Sequence, residues 1–225
     1  MVIILNIINP YLRANVYKNF SVLYQYQEID LFNTFRERKQ EISALFNNMA
    51  DVMALPLEHT INDFVNSLDK VKIQDVQAEY VRLFDYRPVC SSVESFFLKS
   101  SSKVAYSENK NPAKMQIEIE KFYGKYGIKP ANYGEQPPDH ITTELEFMHY
   151  LCFCEGEARN NQEESVTEYI AAQSRFMQEH LILWVPKFCE VIENSADLDF
   201  YQLLSLITRN FVSRDASYLH SDMEG

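Results

Sequence analysis

Between its helix-breaking residues this chain repeats apolar side chains at spacings of three and four, and it nowhere alternates apolar with polar residues ahead of a hairpin turn. That pattern restricts it to an all-α fold, a compact single-domain bundle of about eight to nine helices spanning residues 1–225. Tyr11 to Gln27 reads as the first helix, with Leu12, Val16, Phe20 and Leu23 inward, and Ile29 to Ala54 as a second, with Leu31, Phe35, Ile42, Leu45 and Met49. Two shorter helices follow at Leu57 to Leu68 and Ile73 to Phe84. Pro88 and the polar stretch Ser100 to Asn111 interrupt the pattern, and Pro112 then serves as first residue of a helix to Tyr126. The next helix starts after Pro137-Pro138 and runs to about Glu157; Glu163 opens another that Pro186 kinks or ends; Leu198 to Val212 is the last, and Ser213 to Gly225 reads as frayed. The stretch 100–111 is the candidate hinge, which makes a monomer in exchange with a domain-swapped dimer the expected assembly.

Composition excludes several functions. Only five glycines occur, none in a phosphate-cradling loop, which disfavours the common nucleotide-binding α/β folds. The apolar run MVIILNIINP has no basic residue before it and is broken by Asn6, Asn9 and Pro10, so it reads neither as a secretory leader nor as part of the roughly 20-residue apolar span a bilayer needs. A cytoplasmic location is the default expectation. The four cysteines, Cys90, Cys152, Cys154 and Cys189, match no zinc or redox spacing and read as reduced core thiols. Charge is concentrated: from Glu135 to Glu168 nine acids face one base, Arg159, a local net of −8 within a total of −11. Such a run is ordinarily a pair of solvated helix faces; as a field it attracts cationic ligands and repels nucleic acid.

The richest segment is Tyr133 to Glu155, YGEQPPDHITTELEFMHYLCFCE. The two prolines keep the chain extended and deliver Asp139 to the cap position of a new helix, with His140 in its first turn. Ile141, Leu145, Met148 and Cys152 form one buried stripe that leaves Glu144 and Glu155 free to face elsewhere. An Asp in this position is ordinarily a cap and a neighbouring His ordinarily a surface residue; the functional reading is an Asp-His pair at a helix mouth. Glu146-Phe-Met-His149 has the Glu-x-x-His spacing of one half of a carboxylate-bridged metal site, but such a site takes two and the chain has one. No serine sits in a nucleophile elbow and no cysteine has a basic neighbourhood. In FMQEHLILWVPKF, residues 176 to 188, Trp184 lies one helical turn beyond His180 and reads as core.

Three blocks together resemble the TorD/DmsD/NarJ family of redox-enzyme maturation chaperones: PDHITTELEFMHYL at 138–151, RFMQEHLILWVPKF at 175–188 and EYVRLFDYRPVCSSVESFF at 79–97, with RANVYKNFSVLY at 13–24 similar to the family's opening helix. The resemblance runs in order from about residue 11 to 212. Departures are the apolar extension Met1 to Pro10 and Cys90 followed by two serines. What the resemblance implies is a non-enzymatic cytoplasmic chaperone without a cofactor of its own, which binds the twin-arginine signal peptide of a molybdopterin oxidoreductase catalytic subunit before export. It carries Asp139 and His140 over as peptide-binding residues, with Glu144, Leu83, Phe84 and Glu94 as further groove candidates. An arginine pair suits carboxylates and an apolar leader suits a hydrophobic groove. The rival readings are a helical metal enzyme using Glu144, Glu146, His149 and His140, and a permanent adaptor subunit of an oxidoreductase complex.

Overall fold

The computed structural model describes residues 8–100, 111–128 and 136–223. The first seven residues of the apolar extension, most of the 100–111 hinge, and Tyr133 and Glu135 lie outside that description. Among the described residues the chain is all-helical, with eleven α-helices: α1 (Pro10–Leu23), α2 (Ile29–Glu37), α3 (Lys39–Val52), α4 (Glu58–Lys70), α5 (Ile73–Tyr80), α6 (Glu94–Ser100), α7 (Pro112–Lys125), α8 (Ile141–Asn160), α9 (Val166–Phe176), α10 (Ile182–Ser195) and α11 (Asp199–Met223). A π-helical turn, Met177–Leu181, joins α9 to α10 without interruption, so these form ten separate rods; a second π turn, Val81–Asp85, extends α5.

The count exceeds the expected eight to nine for two physical reasons. The segment expected to be one helix from Ile29 to Ala54 breaks at Arg38, whose ψ of 14° turns the backbone out of the helix. The seven-residue α6, too short to show a helical period, lies between Pro88 and the polar stretch. Helix ends differ as well. The first helix stops at Leu23 rather than Gln27 because the Gln27 amide folds back and donates to the carbonyls of Val22 and Gln25, at 2.9 Å each. Pro186 sits inside α10 and does not end it. The last helix continues past Val212 to Met223, so residues 213–223 are ordered into α11.

One continuous core joins these rods. The most extensive packing is between α1 and α8, followed by α10 against α11 and α8 against α9. An aromatic row Phe20–Phe46–Phe64–Phe200, with centroids 5.2, 6.2 and 5.7 Å apart, runs through the half formed by α1, α3, α4 and α11. A second group, Tyr123, Phe147 and Phe176, fills the space between α7, α8 and α9. Of the cysteines, Cys90, Cys152 and Cys189 are buried and none is disulfide-bonded; burial pushes the Cys90 thiol up to about 12.

The α1–α8 contact depends on Gly156. A Cβ there would lie 2.6 Å from Cζ of Tyr11, whose ring covers the glycine while its hydroxyl donates to Glu157 at 2.6 Å. Gly156→Ala is expected to lose about 1–2 kcal/mol, because displacing the ring costs more than the roughly 1 kcal/mol of helix propensity gained. In a Tyr11→Ala background the same change should turn stabilising. Urea denaturation of the four proteins measures this, and an equal effect in both backgrounds would rule the close approach out.

Candidate functional site

The chain's single isolated β-bridge among the described residues pairs Val93 with His140 and sets the start of α6 beside the start of α8. Glu94 N–H donates to the Asp139 carbonyl and Ile141 N–H to the Ser92 carbonyl, both at 2.9 Å. The Asp139 side chain therefore points at α6, not along α8: its carboxylate accepts from Ser95 N–H at 3.0 Å and from the Gln116 amide of α7 at 2.9 Å. Asp139 caps a helix forty-four residues upstream, and the expected cap of α8 by Asp139 is corrected. The cap of α8 is His140, whose Nδ1 accepts from Thr142 N–H at 3.3 Å; it precedes the first turn rather than occupying it. Pro138 explains the switch, since the turn closed by His140 N–H on the Pro137 carbonyl at 3.1 Å rotates Asp139 away from the axis of α8.

Glu144 and Glu155 do not face elsewhere; they are fully buried. The α8 helix is enclosed by α1, α9 and α7, so its buried surface is broader than a single stripe. Glu144 Oε2 accepts from the Trp184 indole at 3.0 Å, and Glu94 Oε2 lies 3.0 Å from Nδ1 of His180, which the π turn before α10 carries. The second oxygen of each carboxyl, Oε1 of Glu94 and of Glu144, has no donor. Burial, then the nearby Glu94 charge, pushes Glu144 well above the ordinary carboxyl range. Tyr123, whose hydroxyl donates to the Pro138 carbonyl at 2.9 Å, is raised by burial and by Glu144, Glu94 and Asp139. Burial lowers His140 to about 4 against the pull of Asp139.

The structure thus brings four of the six sequence-derived residues, Asp139, His140, Glu144 and Glu94, into one interior polar cluster. Leu83 and Phe84 are not in it. Leu83 is fully buried, and Phe84 stacks on Phe188 at 6.0 Å, reaching the cluster only through the Phe188–Trp184 contact at 5.4 Å. The acidic run is not wholly a solvated face either, since Asp139, Glu144 and Glu155 are interior while Glu146, Glu157, Glu163, Glu164 and Glu168 are exposed. The rival metal residues are dispersed: Glu146 is at the surface with Lys18 at 2.6 Å, and His149 is spent on the Ala14 carbonyl at 3.0 Å. Sequence reasoning missed Gln116 entirely, gave His180 no role and took Trp184 as core; the signal for the latter two was the matched block at 175–188, which carries both. Beside the cluster a cleft of about 660 Å³ opens between α7 and α9, lined by Phe122 and Tyr126 and by charges of both signs, Glu118, Glu168 and Glu179 with Lys121, Lys125 and Arg175, with His180 at its wall.

The family model named nitrate reductase delta subunit matches residues 33–190. The chaperone protein TorD of Vibrio cholerae is 25% identical over 90% of each chain, and a perchlorate reductase assembly chaperone protein of Dechloromonas aromatica is 29% identical over 43% of this chain and 42% of its own. A crystal structure from Archaeoglobus fulgidus, described as a candidate redox enzyme maturation protein, superposes with a TM-score of 0.51, covering 95% of this chain and 98% of the other at 20% identity, which is a likeness of fold. A match across most of the chain, over a site assembled from the same blocks, settles the membership: the chain belongs to the TorD/DmsD/NarJ family of redox-enzyme maturation chaperones.

Proposed function

We propose that this protein is a cytoplasmic assembly chaperone that binds the twin-arginine signal peptide of a molybdopterin oxidoreductase catalytic subunit and holds that subunit for cofactor insertion before export. The observation that carries the reading is the cluster of three buried carboxyls, Glu94, Asp139 and Glu144, beside a cleft, with two oxygens lacking a donor. A guanidinium presents five N–H donors in a fixed fork and is the side chain best matched to paired carboxylates. The cleft offers the peptide Phe122 and Tyr126 as apolar wall, and His180 on its lining touches the buried Glu94 at 3.0 Å. The names of the relatives, which are assembly chaperones of oxidoreductases, support the client class. Among the described residues no helix is long and apolar enough to cross a membrane, which fits the same reading. Asp139, His140, Glu144 and Glu94 are then the polar side of the peptide site, and Leu83 and Phe84 support it from behind.

Calorimetry with an Arg-Arg leader peptide and its Lys-Lys counterpart tests this. The arginine peptide should bind more tightly by at least about tenfold, and more weakly as salt rises. Asp139→Asn keeps an acceptor for Ser95 N–H and should hold stability within about 1 kcal/mol while weakening the arginine peptide; Asp139→Ala should lower stability by about 1–2 kcal/mol as well. Equal affinity for the two peptides defeats the reading. Normal binding by Asp139→Asn would reduce Asp139 to a cap for α6.

A further inference from the structure

Glu94 and Glu144 come from different helices, are both fully buried, and are near enough that the Glu94 charge raises the Glu144 carboxyl. Each has one oxygen satisfied, by His180 and by the Trp184 indole respectively, and each has one oxygen that accepts from no N–H or O–H of the protein. Two neighbouring interior carboxylates, each with an unsatisfied oxygen, would combine like-charge repulsion with the cost of two unmade hydrogen bonds. A single proton between them removes both penalties, because a carboxylic acid donates where a carboxylate accepts. The remaining titratable groups around the pair are already committed: Asp139 to Ser95 N–H and Gln116, Tyr123 to the Pro138 carbonyl, His140 to the α8 cap and His180 Nδ1 to Glu94.

We infer that Glu94 and Glu144 share one proton in the free protein, and that an arginine guanidinium of the client peptide takes that proton's place, so that peptide capture releases one proton. The inference rests on the peptide-binding reading above. In the step, the O–H bond of the Glu144 carboxyl breaks, its electron pair stays on the carboxylate, and the proton passes to buffer. Guanidinium N–H groups then donate to both freed Oε1 atoms, and the added negative charge is matched by the arriving positive one. A lysine ammonium can match the charge, but it lacks the planar fork that addresses two oxygens at once. Proton exchange thereby selects arginine and links client capture to pH, with capture favoured as pH rises and client release as it falls.

The test is calorimetric titration of the intact protein with a synthetic Arg-Arg leader peptide near pH 7, in buffers of differing ionisation enthalpy. The slope of observed enthalpy against buffer enthalpy should report about one proton released per peptide. Glu144→Gln is the matched variant: its oxygen keeps the acceptor for Trp184 and its amide supplies N–H donors where the protonated acid supplies its O–H, so it imitates the protonated acid. It should bind the peptide more weakly and release no proton. In the free wild type, difference infrared spectroscopy should show a protonated carboxyl band that the variant lacks. Binding by the wild type with no proton release overturns the inference and leaves the function standing. Release that persists in Glu144→Gln also overturns it, because the proton then comes from another group. Absence of any peptide binding instead removes the functional reading itself.

Discussion

Replacing Arg13 with alanine should destabilise the protein by about 3–5 kcal/mol, among the largest losses any single substitution here can cause. Arg13 is 1% exposed on α1 and is the hub of a second buried polar network. Its Nε and Nη2 donate to the two oxygens of Asp215 on α11 at 2.7 and 2.9 Å, and its Nη1 donates to Gln173 of α9 at 2.6 Å. Tyr17 donates to Asp215 at 2.7 Å, the Gln173 amide donates to Glu155 of α8 at 2.9 Å, and the Tyr218 ring lies 5.2 Å from the guanidinium. Burial would lower the guanidinium's pKa, but the Asp215 charge overrides it and holds Arg13 well above its ordinary value. Truncation leaves Asp215 in the interior without a counter-charge. In a chain of this length the midpoint of thermal unfolding should fall on the order of 10 °C. Arg13→Met combined with Asp215→Leu should recover most of that loss, since an apolar pair replaces a buried ion pair at little net cost. A loss below about 1 kcal/mol for Arg13→Ala would mean that water replaces the guanidinium.

The same network shows where the sequence ran out of information. The helices themselves were legible because their apolar spacing is local: α4, α5 and α7 start or end within a few residues of the expected bounds. Arg13 stands at the head of the stripe Val16, Tyr17, Phe20, and Asp215 lies one turn from Phe211 and Leu219, so both occupy inward positions. Each alone reads as a charged residue on a helix; only the fold, which places them in contact at a sequence separation of 202, makes them a pair. The expectation of a frayed end after Val212 failed for this reason, because Asp215, Ala216 and Leu219 anchor that part of α11. The candidate site was half legible. Asp139, His140, Glu144 and Glu94 were picked out and do converge, yet the acceptor roles were misassigned, since which helix a carboxylate caps is decided by a bridge to Val93 that leaves no local pattern. Burial of Glu144 was similarly invisible. Its position three residues after Ile141 and four before Met148 already lay on the inner face, but a charged residue there is ordinarily solvated.

The pH dependence of stability should separate His140 from Glu144, because the two have slopes of opposite sign. Burial holds the His140 ring neutral and lowers it from 6.5 to about 4 against the pull of Asp139, and the neutral ring keeps the Nδ1 lone pair that accepts from Thr142 N–H. Between those values the unfolded chain binds a proton that the native one does not, so this group's contribution is complete above about pH 6.5 and is lost as pH falls through about 4, up to about 3 kcal/mol. Glu144 is the reverse case. Raised by burial and by Glu94, it keeps its proton in the fold above pH 4.5 where the unfolded chain has released it, so its contribution is greatest at low pH and declines as pH rises. From pH 4.5 to 6.5 the two effects oppose one another within the wild type. Relative to wild type, His140→Asn, which retains a capping oxygen, should therefore gain stability as pH falls across this window, and Glu144→Gln should lose it, each by about 1.4 kcal/mol per pH unit where its partner titrates fully. Urea midpoints taken every half unit give both differences, and the common background of surface carboxylates cancels. A His140→Asn curve parallel to wild type would show that the imidazole titrates alike in the folded and unfolded chains, and that the α8 cap does not depend on its lone pair.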